Sequence, residues 1–262
     1  MRYLPIFFLF SIFCSSQKIS FVYDVKYQLR SDEKEQPDSQ IMILDIENDR
    51  SIFREEIAKK SDSLEKNNKN GMFVSGVENQ FYVKKNLTGS EVNKIITYLK
   101  SNYELPITEK LNWTILPEQK LIGKYKSQKA EVHYGGRNWI AWFTTELTFS
   151  DGPYIFNGLP GLIVSIEDDR NEYSFHLVEV KKLGDLFDVR VKTMPIDWAK
   201  YQSLAKSYYN DPFDLNSKAG RKVTFTGAKG EALDINEFSK NRQKDILENN
   251  NPIEFNYKID YQ

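Results

Sequence analysis

The sequence has almost no cysteine. Cys14 is the one cysteine among 262 residues, and it lies in an apolar segment near the start of the chain. Without that segment, the chain can form no disulfide, and it offers no thiol for catalysis and no thiolate for a metal ion. The fold must then be stabilised by an ordinary hydrophobic core.

The first residues are typical of a secretory signal peptide. Arg2 precedes a short apolar run at 6–13, and small residues follow at 14–16. This run is shorter than the about 20 apolar residues that cross a bilayer. We therefore predict a signal peptide at 1–16 and export to the periplasm, to the outer membrane or out of the cell. Lipidation of Cys14 is the less favoured alternative, because a large residue precedes it.

Charge and glycine patterns give little sign of nucleic-acid, phosphate or metal binding. The net charge is −1, so no basic surface for nucleic acid or anionic lipid is indicated. The chain has no glycine-rich phosphate loop. The acidic stretch 45–49 loosely matches a calcium loop, but Arg50 stands where that loop needs glycine. We predict no cofactor, no metal site, no nucleic-acid partner and no transmembrane segment after signal cleavage.

The two histidines, His133 and His176, are the candidates for a general base. Neither accompanies a Gly-x-Ser-x-Gly elbow, and neither has a second ligand at metal-binding spacing. Hydrogen-bonded sheet residues explain both better than a catalytic triad does. We assign no catalytic residue, and we keep as the alternative a hydrolase that uses His133 or His176 with nearby carboxylates. It loses its base if no serine or paired carboxylate lies within hydrogen-bonding reach.

Alternating apolar residues and short turns predict a mainly β fold with some helix. In the segment 19–29, Phe21, Tyr23 and Val25 share one face. Further strands are expected at 41–46, 51–55, 81–84, 113–115, 130–134, 137–144, 162–166, 173–177 and 187–191. The segment 92–103 suits a helix and a strand equally. We predict an antiparallel meander that forms a curved open sheet or half-barrel.

The chain after Pro195 has a different pattern. Apolar spacing predicts helices at 197–208 and 234–249, besides a short helix within 57–70, while 214–230 is polar and 253–259 alternates as a final strand. The predicted organisation is a signal peptide at 1–16, a β domain at 17–194 and an extension at 195–262 whose helices pack on the sheet.

Arg137, Trp139 and Trp142 are the first group of candidate binding residues. In a regular strand, Arg137 and Trp139 share one face and Trp142 lies on the other. Tryptophan offers a large contact area and an N–H donor, and arginine can bind a carboxylate. Ordinary core packing is the alternative, and the usual burial of tryptophan favours it.

Tyr154, Phe156 and Asn157 are the second group. They lie between two glycine–proline pairs, Gly152-Pro153 and Pro160-Gly161. The order Leu-Pro-Gly-Leu at 159–162 predicts a type II turn. Because a turn flanks them on each side, the three side chains would either contact a ligand or cover an open sheet edge. Ligand binding requires a groove near Trp139 or Tyr154.

The same segment carries a family resemblance. Asp-Gly-Pro-Tyr-Ile-Phe-Asn-Gly-Leu-Pro-Gly-Leu-Ile at 151–163 resembles the signature of the GLPGLI family, and Arg-Asn-Trp-Ile-Ala-Trp-Phe-Thr-Thr-Glu at 137–146 is similar to its second motif. The likeness covers about 112–180 most closely, and the tail after Lys182 looks specific to this branch. We call 151–163 the motif segment.

The resemblance implies a secreted or envelope protein of Bacteroidetes-type bacteria that accompanies outer-membrane transport components. It supplies no catalytic residues, because the family has no established activity. The expected function is therefore a non-enzymatic binding or accessory protein, with a peptide, a lipid or an outer-membrane transport protein as its partner.

Overall fold

The structure, a computed structural model, describes residues 18–30, 37–67, 69, 76–98, 101–184, 188, 190–213 and 234–261. Within these ranges twelve strands form one sheet. The strands are β1 (Lys18–Tyr27), β2 (Asp38–Glu47), β3 (Arg50–Glu55), β4 (Val83–Asn86), β5 (Glu91–Tyr98), β6 (Ser101–Pro106), β7 (Thr114–Ile122), β8 (Tyr125–Tyr134), β9 (Arg137–Thr144), β10 (Leu162–Asp168), β11 (Tyr173–Lys182) and β12 (Thr193–Pro195). The helices are α1 (Glu56–Lys66), α2 (Trp198–Asn210) and α3 (Ile235–Glu248), and a 3-10 helix spans Phe255–Tyr257.

The predicted mainly β fold is confirmed as one open sheet. Its strand order is β12-β6-β5-β4-β3-β2-β1-β11-β10-β9-β8-β7. Neighbours run antiparallel, except that β12 pairs with β6 in parallel. The hairpin of β8 and β9 turns at Gly135 and Gly136, whose φ values of 64° and 78° suit a tight two-residue connection.

The connection between β6 and β7 shows that the sheet is curved. These strands are ten neighbour steps apart in the sheet, so a flat sheet would separate them by about 48 Å. The seven-residue linker 107–113 between them reaches at most about 29 Å. The sheet must therefore bend, and it has a concave and a convex face.

The main core lies on the concave face. Phe21, Tyr23 and Val25 are fully buried there, as the alternation in 19–29 predicted. Ile107 and Trp113 of the linker pack against the same cluster. The linker crosses the open side of the curved sheet, so the main core cluster is enclosed between the linker and the concave face.

The ambiguous segment 92–103 lies in β5 and β6. Ile95 and Ile96 are both fully buried, but Ile95 packs beside Ile52 whereas Ile96 packs beside Leu105. A strand buried on both faces has no alternating pattern, and periodicity therefore could not separate it from a helix.

The helix α1 covers part of the convex face through buried charges. The guanidinium of Arg54 on β3 contacts Asp62 of α1 at 2.8 Å and Asp45 of β2 at 2.9 Å. Arg190 contacts the other oxygen of Asp62 at 3.1 Å. Each buried charge here has an opposite charge beside it, as burial requires.

The predicted C-terminal helices are confirmed, and they pack on the sheet. Asp197 caps α2 by accepting from Lys200 N at 2.7 Å, and Asp234 caps α3 by accepting from Asn236 N at 2.9 Å. Together the two helices and the sheet form a second core cluster of Val77, Ile96, Leu105, Tyr201, Leu204, Ala205, Tyr208, Ile246 and Ile259.

The predicted final strand at 253–259 is wrong. This segment contains the 3-10 helix Phe255–Tyr257 and pairs with no strand. Ile253 is buried in the main cluster and Ile259 in the second one. The alternating pattern therefore reflects burial against two clusters and not a β ladder.

Several predictions concern parts of the chain outside the described residues. These are the signal peptide at 1–16 and the polar segment 214–230. The strand predicted at 187–191 lies partly outside them, and its described residues 188, 190 and 191 form no strand. In the described part of the chain, no helix combines the length and apolarity needed to cross a membrane.

Candidate functional site

The motif segment folds into the concave face of the sheet. Phe156 N–H donates to Pro153 O at 3.1 Å, Gly158 N–H to Ser150 O at 3.2 Å and Ile163 N–H to Asp151 O at 3.0 Å. These bonds close the segment into a compact loop, which satisfies its own backbone groups as burial demands. The loop leads directly into β10.

The turn at 159–162 is not the predicted type II turn. Gly161 N–H donates to Leu159 O at 2.8 Å, so the bond closes a three-residue turn around Pro160. Gly161 has φ 156°, and a Cβ placed on it would lie 2.1 Å from Thr144 O. Glycine is needed here because the motif segment passes close to the backbone at the end of β9.

Trp139 and Phe156 are central members of the main core. Their ring centroids are 4.7 Å apart, and both are fully buried. The Trp139 indole N–H donates to Tyr134 O at 3.1 Å, which satisfies its polar atom. For these two candidate residues the structure shows core packing.

Trp142 lies on the opposite side of β9 from this core centre, opposite Ser165 of β10. The Lys120 ammonium sits 4.0 Å from its ring centroid, a cation–π distance. The indole is mostly buried. The indole nevertheless belongs to the main core cluster, so burial accounts for Trp142 as well.

Arg137 is buried and binds the C-terminal part of the chain. Its guanidinium contacts Asp168 at 2.7 Å and Glu172 at 2.5 Å. It also donates to Ile253 O at 3.2 Å and to Pro252 O at 3.0 Å. Arginine suits this position because its planar fork offers five donors in fixed directions.

Tyr154 is directed at the same C-terminal segment. Its hydroxyl donates to the Glu254 carboxylate, which also accepts from Tyr134 OH at 3.0 Å and Lys94 Nζ at 3.0 Å. Burial, and then the negative charge of Glu254, raise the pKa of Tyr134 and of Tyr154 well above the ordinary tyrosine value. Both phenols therefore remain protonated donors at neutral pH.

The contact between Glu254 and its three donors was not predictable from sequence patterns. The donors lie on β5, on β8 and in the motif segment, and Glu254 follows α3. Lys94 and Glu254 are 160 residues apart. Local periodicity carries no information on such pairs.

An open cleft borders the motif segment. Its volume is about 590 Å³. It is lined by Ser90, Glu91, Val92, Asn93, Pro106, Ile107, Thr108, Glu109, Lys110, Leu111, Trp113, Ile155, Asn157 and Gly158. Of the candidate residues, Asn157 lines this cleft, whereas Tyr154 and Trp139 do not.

The cleft combines an apolar wall with a charged rim. Val92, Ile107 and Trp113 supply apolar surface, and each also packs against the main core. The Trp113 indole N–H donates to Asn157 O at 2.8 Å, which ties the linker to the motif segment. Glu109 accepts from Gly135 N–H at 3.1 Å. The walls are therefore fixed by elements on both sides.

The lining of the cleft contains no histidine and no cysteine. Ser90 and Thr108 are its hydroxyl residues, and neither has an imidazole beside it among the lining residues. Activation of a hydroxyl nucleophile needs an adjacent base.

The histidines lie away from the cleft. His176 Nδ1 is 3.0 Å from Ser165 Oγ, and Asp24 is the cross-strand neighbour of His176. His133 Nδ1 is 3.0 Å from Asn138 Oδ1. A serine thus lies within hydrogen-bonding reach of His176, on the face of the sheet opposite the main core.

Comparison with known proteins gives a fold likeness. No family model and no curated protein matches the chain. Two solved structures of PNGF-II, in the P21 and C2 space groups, match with a TM-score of 0.53 each, at 18% and 16% sequence identity. Each match covers 72% of this chain and 33% of PNGF-II, so the chain spans about a third of that protein. At this identity the likeness concerns the fold alone.

Proposed function

We propose that this is an exported cell-envelope protein of the GLPGLI family type that binds a ligand without transforming it. The ligand is a peptide, a lipid or a protein component of outer-membrane transport, and it occupies the cleft beside the motif segment. The family-like motifs at 137–146 and 151–163 support the assignment. The signal-like residues 1–16 support export.

The observation that carries the proposal is the cleft. Its volume of about 590 Å³ lies within the range of about 300–1,000 Å³ that is usual for ligand sites. Apolar side chains provide the wall, and Asn93, Thr108 and Asn157 provide polar groups. Such a mixture orients a ligand with an apolar body and a few hydrogen-bonding groups.

A hydrolase remains the second candidate, because Ser165 and His176 are in contact at 3.0 Å. The surroundings of Ser165 count against it. Ser165 lies mid-strand, paired with Trp142 on one side and His176 on the other. An oxyanion hole needs free N–H donors beside the nucleophile, whereas these backbone groups belong to a β ladder. Hydrolysis of p-nitrophenyl acetate that is abolished by His176→Ala would favour the hydrolase.

The cleft proposal is tested by filling the cleft. Thr108 is exposed and lines it, so Thr108→Trp should block it without disturbing the core. Glu118→Trp places the same side chain at an exposed position of β7 outside the cleft, as a matched control. Tagged wild type and both variants are incubated with envelope extract of a Bacteroidetes-type bacterium, and bound peptides, lipids and proteins are identified by mass spectrometry.

We expect wild type and Glu118→Trp to capture the same molecule. Thr108→Trp should capture at least about ten-fold less, equivalent to about 1.4 kcal/mol of binding energy. Equal capture by all three proteins would show that the ligand binds elsewhere, and no capture by wild type would remove the support for a binding function.

A further inference from the structure

The segment Asn251–Glu254 lies against the concave face of the sheet in the manner of a bound peptide. Its first three backbone carbonyls each accept from a side chain of the sheet. Tyr173 OH donates to Asn251 O, Arg137 Nη2 donates to Pro252 O at 3.0 Å, and Arg137 Nε donates to Ile253 O at 3.2 Å. Carbonyl contacts of this kind hold any peptide sequence.

Three side chains of the segment make contacts that depend on sequence. The Asn251 amide accepts from Arg137 Nη2 at 2.7 Å and donates to Gln28 O at 2.7 Å. Ile253 is 4% exposed and belongs to the main core cluster. Glu254 is equally buried and accepts from three donors, Lys94, Tyr134 and Tyr154. The pocket therefore recognises an apolar residue followed directly by a carboxylate.

The walls of this pocket come from distant parts of the chain. Lys94 lies on β5, Tyr134 on β8, Arg137 on β9 and Tyr173 on β11. Tyr154 of the motif segment has φ 53°, an unfavourable value for a bulky side chain. Such strain persists where the surroundings determine the conformation, and it occurs often at binding sites. Here it directs the hydroxyl at Glu254.

The segment itself is held without a β ladder. Residues 251–254 belong to no strand or helix, and they lie between the end of α3 and the 3-10 helix Phe255–Tyr257. Because side chains supply the contacts, the segment can leave the pocket without breaking any strand pairing. This distinguishes it from a sheet strand, whose removal would open the fold.

We propose that the pocket formed by Lys94, Tyr134, Arg137, Tyr154 and Tyr173 is a peptide-binding site for an apolar residue followed by glutamate, and that Asn251–Glu254 is its tethered occupant. A peptide of the same chemistry supplied by another molecule binds there when the tethered segment leaves. Tethering gives the internal segment an effective concentration of the order of mM, so an external peptide binds weakly until that segment is weakened.

This site shares no lining residue with the cleft. Thr108→Trp should therefore leave peptide binding unchanged, and the two proposals fail independently.

The test weakens the occupant in the full chain. The probe is a fluorescein-labelled peptide with the sequence of residues 250–257, Asn-Asn-Pro-Ile-Glu-Phe-Asn-Tyr. Fluorescence anisotropy should show that it binds the double variant Ile253→Ala/Glu254→Gln at least about ten-fold more tightly than the unmodified chain, because the competing segment is weaker. A peptide with glutamine in place of its glutamate should bind the double variant at least about ten-fold less tightly.

Addition of Tyr154→Phe to the double variant removes one donor to the peptide carboxylate and should weaken binding. Circular dichroism and thermal melting establish that each variant is folded. A folded double variant that binds the peptide no better than the unmodified chain would overturn the proposal.

A second measurement covers the case in which the double variant does not fold. A protease site is inserted between Asn249 and Asn250 of the otherwise unmodified chain, and the folded protein is cut there. We expect the fragment from residue 250 onward to remain bound and to exchange with excess labelled peptide, as seen by size-exclusion chromatography. Unfolding after the cut, or a folded protein that takes up no peptide, would contradict the proposal.

Discussion

At the scale of single residues, the motif segment is explained mainly by close packing. Gly161 is next to Thr144 O, where a side chain cannot be placed. Phe156 and Trp139 form the centre of the core. Tyr154 is buried as well, and its hydroxyl donates a hydrogen bond to the Glu254 carboxylate. The same short segment therefore builds the interior and supplies one polar contact to the C-terminal segment.

Replacement of Gly161 tests the role of close approach. Gly161→Ala should lower the free energy of unfolding by at least about 2 kcal/mol, because the new Cβ meets a backbone oxygen that cannot move freely. The matched control is Gly123→Ala, since Gly123 also has positive φ, at 57°, but has no atom within 4 Å of the new Cβ. It should cost only about 1 kcal/mol.

Urea denaturation of both variants measures the difference. Equal losses of stability would show that backbone conformation, and not the contact with Thr144, explains the glycine at 161.

The sequence predicted some of these residues better than others. Burial of Trp139 was the favoured interpretation, because tryptophan is usually buried. The partners of Arg137 could not be predicted, since Ile253 lies 116 residues further along the chain. The expected type II turn was wrong because turn propensity ignores the neighbouring strand at Thr144.

At the scale of elements, one arginine adds polar contacts to the apolar packing of helix α3. Arg242 donates from Nη2 to Glu78 at 2.6 Å and from Nε to Tyr208 OH at 2.9 Å. Tyr208 belongs to α2, so this side chain joins both C-terminal helices to the chain before β4. Apolar spacing made the helices predictable, whereas this long-range contact was not predictable.

The Glu78 contact gives α3 a pH dependence. Burial raises the pKa of the Glu78 carboxyl above its usual range, although Arg242 and backbone hydrogen bonds act in the opposite direction. A group with a raised pKa contributes fully to the stability of the folded state below its unfolded pKa, which is about 4.3 for glutamate. This contribution is lost as the pH rises through the pKa of the folded state. The glutamine side chain in Glu78→Gln does not ionise, so this variant lacks the pH-dependent contribution to stability.

Wild type should therefore lose stability relative to Glu78→Gln as the pH rises above about 4.3. The measurement is the free energy of unfolding in urea at several pH values from 4 to 7 for both proteins. The exposed Glu118→Gln serves as a control that should follow the wild-type curve. A constant difference between Glu78→Gln and wild type across this range would contradict the account.

At the scale of the whole molecule, curvature of the sheet explains where the cleft lies. The concave face is filled by the core, the motif segment and Ile253. The linker 107–113 crosses the open side and leaves the cleft between itself and the motif segment. The open β fold was predictable from short strands and turns, but the position of the cleft depends on strand order, which no local pattern specifies.

The motif segment forms an interior wall of the molecule, and the linker beside it forms the accessible side of the cleft. Phe156, Gly158 and Ile163 donate backbone hydrogen bonds within the folded segment. In contrast, the amides of 108–112, which are all described, donate none to the backbone.

Hydrogen–deuterium exchange of the full chain, followed by mass spectrometry, measures this difference most directly. Amides at 156–163 should exchange as slowly as those of the central strands β1 and β11, whereas those at 108–112 should exchange rapidly, because local opening governs exchange. Exchange of 156–163 as rapid as that of 108–112 would contradict the account.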